Sequence, residues 1–402
     1  MEEAQEIVAG ATCDRERLER IYYHVIDRVR YVGIELGRNG YVPHRAERTY
    51  RTTYGDCKDT AVLFVALLRA VGIDARVALV RTWDRGREPT GLPGAQTFNH
   101  AICYVPDVDG EAYWMDGTTD YNHFTELPLM DQGAAALISG PDGGRFVTVP
   151  EDPATANGED FTYRARIDAK GNAAVRIRFG YEGVYAASYR GSFEAPERFR
   201  QGVEHFLGQR FPGSTLKDFT TSSSDLREKE VFFEAALAVP GLAGSAGRQR
   251  RVRPTPLQMG LTSRFAKWNE RKNELIVGNS GHSAFPRYRR WTTTLVLPEG
   301  ARPTTLPSEA NIDEPFGSYV RTVTTEGNTV RIRAEAQIRV RRLAAEDYPA
   351  FRAFCHRVDS AEEEWLIYDP NPAADEDAAG ATGAAPDEEG PAEAAVTDGG
   401  DE

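Results

Sequence analysis

Residues 56 to 72 read DCKDTAVLFVALLRAVG, and this stretch decides the fold of the first part of the chain. After its first turn almost every side chain is apolar, so the pattern predicts a helix that is buried on nearly all sides. Asp56 is placed to cap the helix, Asp59 can reach back as in a capping box, and Gly72 suits its end. Such a helix needs other elements around it, and we expect it at the centre of a globular domain.

Cys57 lies in the first turn of this predicted helix. Backbone N–H groups there lack helical partners, and the positive end of the helix dipole favours a thiolate over a thiol. Lys58 is expected to add positive charge nearby. The same N–H groups are candidates to hold the oxyanion of a tetrahedral intermediate. Cys57 is therefore a candidate nucleophile, whereas a cysteine taken alone is more often a buried structural residue.

A nucleophilic thiol needs a base to take its proton, and His100 is the best candidate. It lies in the stretch Phe98 to Val105, which reads FNHAICYV and has the alternation of a strand. Alternation places His100, Ile102 and Tyr104 on one face of that strand. A strand histidine without partners would more often be structural, so its catalytic role depends on a third group.

Asp116 is that third group if the next hairpin has the right register. If Pro106 ends its strand, Val105 pairs with Glu111, and counting outward places His100 opposite Asp116. A carboxylate there can accept a hydrogen bond from the imidazole and fix its tautomer. A tighter turn at Asp109 and Gly110 would instead pair His100 with Thr119 and break the arrangement.

Three segments of this region are similar to the signature segments of the bacterial transglutaminase-like superfamily. They are Gly55 to Asp59, Phe98 to Ala101 and Tyr113 to Thr118. The resemblance covers roughly residues 14 to 150. It implies a papain-like α+β core, with a central buried helix on an antiparallel sheet, and a Cys57, His100 and Asp116 triad.

The resemblance extends to the order of domains, in which a β domain precedes such a core and another follows it. The usual upstream β domain is missing from this sequence, and the resembled architecture is often exported. Gly117 stands where such families often have proline, a change that concerns loop stiffness.

The remaining sequence predicts four segments: a catalytic domain at 1–150, a linker at 151–160, a mostly β domain at 161–368 and a disordered acidic tail at 369–402. In the first segment a helix is expected after Asp14, its cap. Strands are expected at 75–82, 98–105 and 111–116. The second domain begins with a hairpin around Lys170 and Gly171, and the patterns further predict strands at 231–239, 291–297 and 330–340 and helices at 196–209 and 343–358.

Composition excludes several classes of function. The net charge is −13, but residues 371–402 contain ten acidic residues and no lysine or arginine, and without them the charge is −3. This balance gives no general attraction for nucleic acid or anionic lipid. No apolar run approaches the roughly 20 residues of a membrane-spanning helix.

The cysteine pattern predicts no metal site and no cofactor. Cys13, Cys57, Cys103 and Cys355 are widely spaced, without a Cys-x-x-Cys pair. We expect Cys13, Cys103 and Cys355 to be packing residues. No basic and apolar export signal follows Met1. The sequence as given therefore suggests the cytoplasm, while the resemblance suggests the periplasm or export.

Two functions follow from these patterns. The first is thiol-dependent acyl transfer or hydrolysis on carboxamide or peptide bonds, through a Cys57 thioester, with a protein or peptide as substrate. The second is a protein without turnover, whose β domain binds a protein or glycan while the core serves as scaffold. The sequence leaves the substrate, the acceptor and the oligomeric state open.

Overall fold

The structure is a computed structural model that describes residues 2–33, 35–86, 94, 97–141, 143–255, 257–277 and 287–371. Most of the predicted acidic tail, from residue 372 onward, lies outside the described residues. The helices in the described part are α1 (Glu2–Ile7), α2 (Asp14–Arg28), α3 (Ala46–Thr52), α4 (Cys57–Ala70), α5 (Val184–Phe193), α6 (Pro196–Arg210), α7 (Leu261–Phe265) and α8 (Tyr348–Glu362). Short 3-10 turns cover Gly37–Gly40, Trp83–Arg85 and Ala154–Ala156.

The strands divide between an N-terminal and a C-terminal region. The N-terminal region contains β1 (Arg30–Tyr31), β2 (Tyr54–Gly55), β3 (Arg76–Arg81), β4 (His100–Val108), β5 (Glu111–Met115), β6 (Ala135–Ile138) and β7 (Arg145–Thr148). The C-terminal region contains β8 (Gly158–Ile167), β9 (Ala173–Glu182), β10 (Thr215–Thr221), β11 (Val231–Val239), β12 (Gly244–Ala246), β13 (Gln249–Val252), β14 (Leu275–Ile276), β15 (Arg287–Val296), β16 (Arg302–Thr305), β17 (Ala310–Glu314), β18 (Gly317–Glu326), β19 (Thr329–Ile338), β20 (Arg342–Leu343) and β21 (Leu366–Asp369).

Helix α4 lies at the centre of the N-terminal region, as its composition predicts. Strands β5, β4, β3, β6 and β7 form an antiparallel sheet in that order. Leu63 and Phe64 of α4 share one core with Leu18 and Tyr22 of α2 and with Cys103 of β4. Because α4 is covered by helices and by the sheet, its nearly continuous apolar surface is buried.

The capping box predicted for α4 is present. Asp56 accepts hydrogen bonds from the backbone N–H groups of Lys58 and Asp59, and the Asp59 carboxylate accepts one from the Asp56 N–H. The prediction for α2 is wrong in detail, because Asp14 is the first helical residue and Cys13 holds the cap position without a side-chain bond. The α4 start is therefore fixed by side chains, which orients the adjacent Cys57.

The hairpin between β4 and β5 turns later than predicted. Strand β4 continues through Pro106 to Val108, and the chain reverses at Asp109 and Gly110. Their φ angles of 57° and 88° suit a two-residue hairpin turn. The predicted strand end at Pro106 is therefore wrong.

A β-bulge follows this turn. Val108 pairs with Glu111, whereas Val105 pairs with Tyr113, so two residues of β4 lie opposite one residue of β5. Pro106 lies in the bulge, where the ladder is interrupted and its missing N–H costs no hydrogen bond. The predicted pairing of Val105 with Glu111 is wrong.

The bulge decides which side of the sheet Asp116 occupies. Beyond it Cys103 pairs with Met115, and one further step places Asp116 opposite Ile102, which has the same parity as His100. The register set by the turn alone would place Asp116 opposite Cys103, on the other side. The one-residue shift therefore brings Asp116 to the side of His100.

An eight-stranded sheet dominates the C-terminal region, in the order β10, β11, β9, β8, β15, β19, β18, β17. Its strand pairs are antiparallel except β8 with β15. Helices α5, α6 and α8 contribute to the core on this sheet, and β12, β13, β21 and β16 form a smaller sheet. The predicted hairpin around Lys170 and Gly171 is present as β8 and β9. Strand β8 begins at Gly158, inside the stretch predicted as a linker, and α5 was not predicted.

Arg341 joins the two regions. Its guanidinium donates hydrogen bonds to the Leu129 carbonyl at 2.7 Å, to the Gln132 carbonyl at 2.5 Å and to the Glu151 carboxylate at 3.1 Å. The two carbonyls flank Asp131 in the sequence. The C-terminal region therefore helps to hold the loop that carries Asp131.

Among the described residues no helix is both long and apolar enough to cross a membrane.

Candidate active site

Cys57 is the first residue of α4 and is 3% exposed. Its neighbours in the core are Ala61, one turn further along the helix, and Ala101 of β4. The Cys57 Sγ also lies 4.0 Å from Glu35 Oε1. The thiol is thus positioned by the helix start, between the sheet and the loop that carries Glu35.

His100 lies between the thiol and two carboxylates. Its Nε2 is 3.1 Å from Asp116 Oδ2, and its side chain is 9% exposed. Burial lowers the pKa of His100, but the charge and hydrogen bond of Asp116 and the interaction with Cys57 outweigh burial and raise it to about 11. The imidazole is therefore stabilised in its charged form, as an imidazolium beside the cysteine.

Asp116 follows β5 and is 2% exposed. Its Oδ1 accepts hydrogen bonds from the Thr118 N–H and hydroxyl, both at 2.8 Å, while Oδ2 faces His100. Burial alone would raise the pKa of Asp116, but His100 and these hydrogen bonds lower it. The structure thus brings together all three residues that the sequence singled out.

Asp131 is a fourth member of this cluster, and sequence reasoning did not find it. It is 0% exposed, and its Oδ1 lies 3.8 Å from His100 Nε2. Burial and the charge of Asp116 raise the pKa of Asp131 well above its usual range. Neither carboxyl oxygen of Asp131 has a hydrogen-bond partner among the described residues. Burial and the neighbouring charge of Asp116 therefore favour the neutral, protonated form of Asp131.

The same groups have the chemistry of metal ligands. One oxygen or nitrogen from each of His100, Asp116 and Asp131 lies within 4.8 Å of the others. A proton kept on one of the two carboxyl groups would leave a single negative charge facing the His100 imidazolium.

Lys58 contributes positive charge near Cys57, as expected, but carboxylates share this charge. Its Nζ lies 2.7 Å from Asp56 Oδ2 and 3.6 Å from Glu35 Oε1, so two carboxylates compensate its charge. The Lys58 and Asp59 N–H groups are bonded to the Asp56 side chain. Of the first-turn amides that the sequence suggested for an oxyanion, these two are therefore already used.

Two glycines of the signature segments are explained by packing. A Cβ on Gly55 would lie 2.7 Å from the Asp59 Cβ, and a Cβ on Gly117 would lie 2.6 Å from an edge carbon of Phe64. Asp59 cannot move freely, because it also bonds the His44 backbone at 2.7 Å. The glycine at position 117 therefore allows the chain after Asp116 to lie close to α4.

The other cysteines are separate from this site. Cys103 and Cys355 are buried, and burial raises the pKa of each thiol, that of Cys355 to about 12. Cys13 is exposed at the start of α2. Cys57, by contrast, interacts with a histidine, His100.

Comparison with known proteins identifies the class of this fold. Residues 2–123 match the family model of the transglutaminase-like superfamily, and residues 281–368 match that of a domain of unknown function with a solved structure, DUF3858. Residues 2–123 thus belong to the transglutaminase-like superfamily, as predicted. The α+β fold class, with a transglutaminase-like core and a mostly β C-terminal region, is confirmed.

One solved structure is similar over most of the chain. It is the crystal structure of a proposed protease from Parabacteroides distasonis ATCC 8503, with 15% identity and a TM-score of 0.54. The match covers 91% of this chain and 54% of that one, so the chain spans about half the length of that protein. At this identity the likeness shows a shared fold. No curated protein matches the chain.

Proposed function

We propose that the N-terminal region, residues 1–150, is a cysteine-dependent enzyme that cleaves carboxamide or peptide bonds through a thioester on Cys57. The residues 161–368 would form an accessory domain. One observation carries this proposal: the His100 imidazole is hydrogen-bonded with Asp116 and interacts with Cys57, while the cysteine occupies a helix start. Thiol, imidazole and carboxylate in this order are the arrangement that nucleophilic acyl transfer requires.

The first step forms the thioester. The Cys57 sulfur attacks the carbonyl carbon, and the proton of the thiol resides on His100. When the tetrahedral intermediate collapses, the C–N bond breaks, and His100 gives its proton to the leaving ammonia or amine. Because the Lys58 and Asp59 amides bond Asp56, we assign the Cys57 N–H as the helix donor for the oxyanion.

The second step resolves the thioester. Water, deprotonated by His100, would release an acid and restore the thiol, which makes the protein a peptidase or amidase. A primary amine in place of water would form a new amide, which makes it a transglutaminase. Asp116 holds the imidazole orientation in both steps, and Asp131, as a neutral acid, would orient Asp116 without adding negative charge to the site.

Thiol labelling tests the proposal directly. The full chain is treated with iodoacetamide at pH 6, and labelled cysteines are identified by mass spectrometry. We expect Cys57 to react faster than the exposed Cys13, which serves as an internal reference for an ordinary thiol. An ordinary thiol with a pKa of about 8.5 is only roughly 0.3% thiolate at pH 6, so His100→Ala should slow labelling of Cys57 by up to about 300-fold.

The exposed His205 on α6 supplies the matched control, since His205→Ala should leave the rate unchanged. Labelling of Cys57 only after unfolding would contradict the enzyme proposal and would favour the scaffold function. A glutamine-containing peptide incubated with a fluorescent primary amine then separates the two outcomes. Deamidation without incorporation indicates hydrolysis, incorporation indicates transfer, and Cys57→Ala should abolish both.

A further inference from the structure

A cavity of about 910 Å³ lies between helices α5 and α6 and the strands β8, β9, β11 and β15. Tyr121, from the loop that follows Asp116, contributes to its lining. This volume is within the range of about 300–1,000 Å³ that is typical of small-molecule sites, which often lie where domains meet. The cysteine site does not account for this cavity.

The long wall of the cavity is aromatic. Phe161 and Phe179 pack edge to face with ring centroids 4.9 Å apart, and Phe179 stacks on Phe233 at 4.5 Å. Phe199 of α6 packs against Phe233 from the helix side, with centroids 5.3 Å apart. These contacts fix the rings in place, so the wall is a preformed surface for an apolar group.

One end of the cavity is charged. Arg287 and Arg289 are two positions apart on β15, so their side chains lie on the same side of the sheet. They are 1% and 6% exposed. Glu159 on the neighbouring β8 accepts two hydrogen bonds from Arg289, at 2.9 and 2.6 Å, and lies 4.0 Å from Arg287. The Arg289 guanidinium also lies 5.1 Å from the centre of the Phe161 ring, where the charged end meets the aromatic wall.

Positive charge is in excess at this end. Arg264 of α7 also lies at this end. Burial of its guanidinium and the nearby charges of Arg289 and Arg287 lower the pKa of Arg264. The described lining contains five arginines and a single acidic residue, Glu159. Glu362 also acts on Arg289, but burial raises the pKa of Glu362 to about 7, so at neutral pH it supplies only part of a negative charge.

We propose that this cavity binds an amphipathic anion, with a carboxylate head group at the arginines and an apolar chain along the phenylalanine wall. Arginine keeps its proton at any physiological pH, so a bound anion can balance the excess positive charge of the cavity. A guanidinium also matches a carboxylate with two parallel hydrogen bonds. A fatty carboxylate combines both features in one molecule of suitable size.

Calorimetric titration of the full chain with three probes tests the proposal. Decanoate has the charge and the chain, decanol has the chain alone, and acetate has the charge alone. We expect decanoate to bind, decanol to bind at least about tenfold more weakly and acetate not to bind measurably. Equal dissociation constants for decanoate and decanol, or no binding of decanoate, would overturn the proposal.

Two glycines on α6 supply a matched pair of variants that preserve the fold. A Cβ on Gly202 or on Gly208 would meet no atom within 4 Å, but only Gly202 is part of the described lining. Leucine at either position raises helix propensity. Gly202→Leu should fill the cavity and abolish decanoate binding, while Gly208→Leu should bind as the wild type does. Equal binding by both variants would place the ligand elsewhere and reject the cavity.

Arg264→Gln separates recognition of the head group from recognition of the chain. It should weaken decanoate several-fold and leave decanol unchanged, because it removes one positive charge and no part of the wall. Arg166→Gln, at an exposed arginine of β8, is the charge-matched control and should change neither probe. Loss of decanoate affinity in both arginine variants would indicate general charge attraction and contradict a specific site.

Discussion

The two regions each contain a buried charge cluster, and the two clusters are unbalanced in opposite directions. In the N-terminal region the carboxyl groups of Asp116 and Asp131 meet one imidazole, that of His100. In the C-terminal region two buried guanidinium groups, those of Arg287 and Arg289, meet one carboxylate, that of Glu159. Burial makes uncompensated charge costly in both places.

The difference between the clusters lies in which groups can change protonation. A carboxylic acid can keep its proton, and burial beside Asp116 favours the neutral form of Asp131, which reduces the negative charge of that cluster. An arginine cannot lose its proton in a protein, so the positive cluster stays charged. The comparison teaches that the carboxyl and imidazole groups of the cysteine site can adjust their charge by protonation, whereas the arginine site is suited to receive a charge from outside.

The largest expected effect comes from removing the carboxylate of the positive cluster. Glu159→Gln leaves Arg287 and Arg289 buried together without a full negative charge. We expect the free energy of unfolding to fall by about 3–5 kcal/mol, as for other broken buried ion pairs. Urea unfolding monitored by tryptophan fluorescence measures this change.

Glu230→Gln is the control for that variant. Glu230 pairs with Arg178 at 2.9 Å, but both side chains are partly exposed, at 39% and 29%. Its loss should cost no more than about 1 kcal/mol. If Glu159→Gln lowered the free energy of unfolding by as little as Glu230→Gln, other groups would already balance the arginines. The contrast between the two clusters would then disappear.

Asp131→Asn tests the internal balance of the negative cluster. In the folded wild-type protein the pKa of Asp131 is raised above the value of about 3.9 that it has in the unfolded chain. Above this pH the unfolded state therefore releases a proton that the folded state retains. Wild-type stability should therefore fall as pH rises above about 4, by up to about 1.4 kcal/mol per pH unit, until Asp131 ionises in the folded state. The asparagine variant lacks this slope, so its advantage should grow with pH.

Urea unfolding at several pH values measures that difference, with Asp27→Asn on the exposed side of α2 as the control. An advantage of Asp131→Asn that stays constant with pH would show that Asp131 is ionised in the folded protein. Labelling of Cys57 should stay within about threefold of wild type, because an amide remains a neutral donor to Asp116. A labelling rate of the wild type that depends on a chelator would point to a bound metal ion instead.

The sequence singles out three residues that the structure brings together, but it does not predict the contacts that position them. The α4 start follows from Asp56 and Asp59 because a capping box is local in sequence. The hairpin register does not, because the tight turn at Asp109 and Gly110, which would have paired His100 with Thr119, is corrected by a bulge. A bulge depends on how Pro106 is accommodated across two strands, and this is decided by tertiary packing.

Other features leave no local signal in the sequence. Asp131 enters the cluster through a loop held by Arg341, which lies far away in the chain. Helix α5 begins at Val184, after a glycine that has no side chain to cap it, and it was not predicted, since packing on the sheet stabilises it rather than local propensity. Glu159 and Arg289 meet only because β8 and β15 pair in parallel.

The smallest expected effect concerns Glu35, an acidic side chain that lies near the thiol and outside the cluster. Glu35 Oε1 lies 4.0 Å from Cys57 Sγ, and its side chain is 49% exposed. A negative charge there opposes a thiolate, by about 1 kcal/mol at this distance in water. Glu35→Gln should therefore speed the labelling of Cys57 at pH 6 by about two- to fivefold, and added salt should reduce the difference.

The direction of this change separates two roles for Glu35. If it only repels the thiolate, its removal accelerates labelling, and Glu47→Gln on the exposed side of α3 leaves the rate unchanged. If Glu35→Gln slows labelling, the carboxylate accepts the proton of the thiol, and His100 is not the sole base. The second result would mean that the solvent-exposed Glu35 carboxylate belongs to the catalytic cluster. The charge of that cluster could then no longer be described from its buried groups alone.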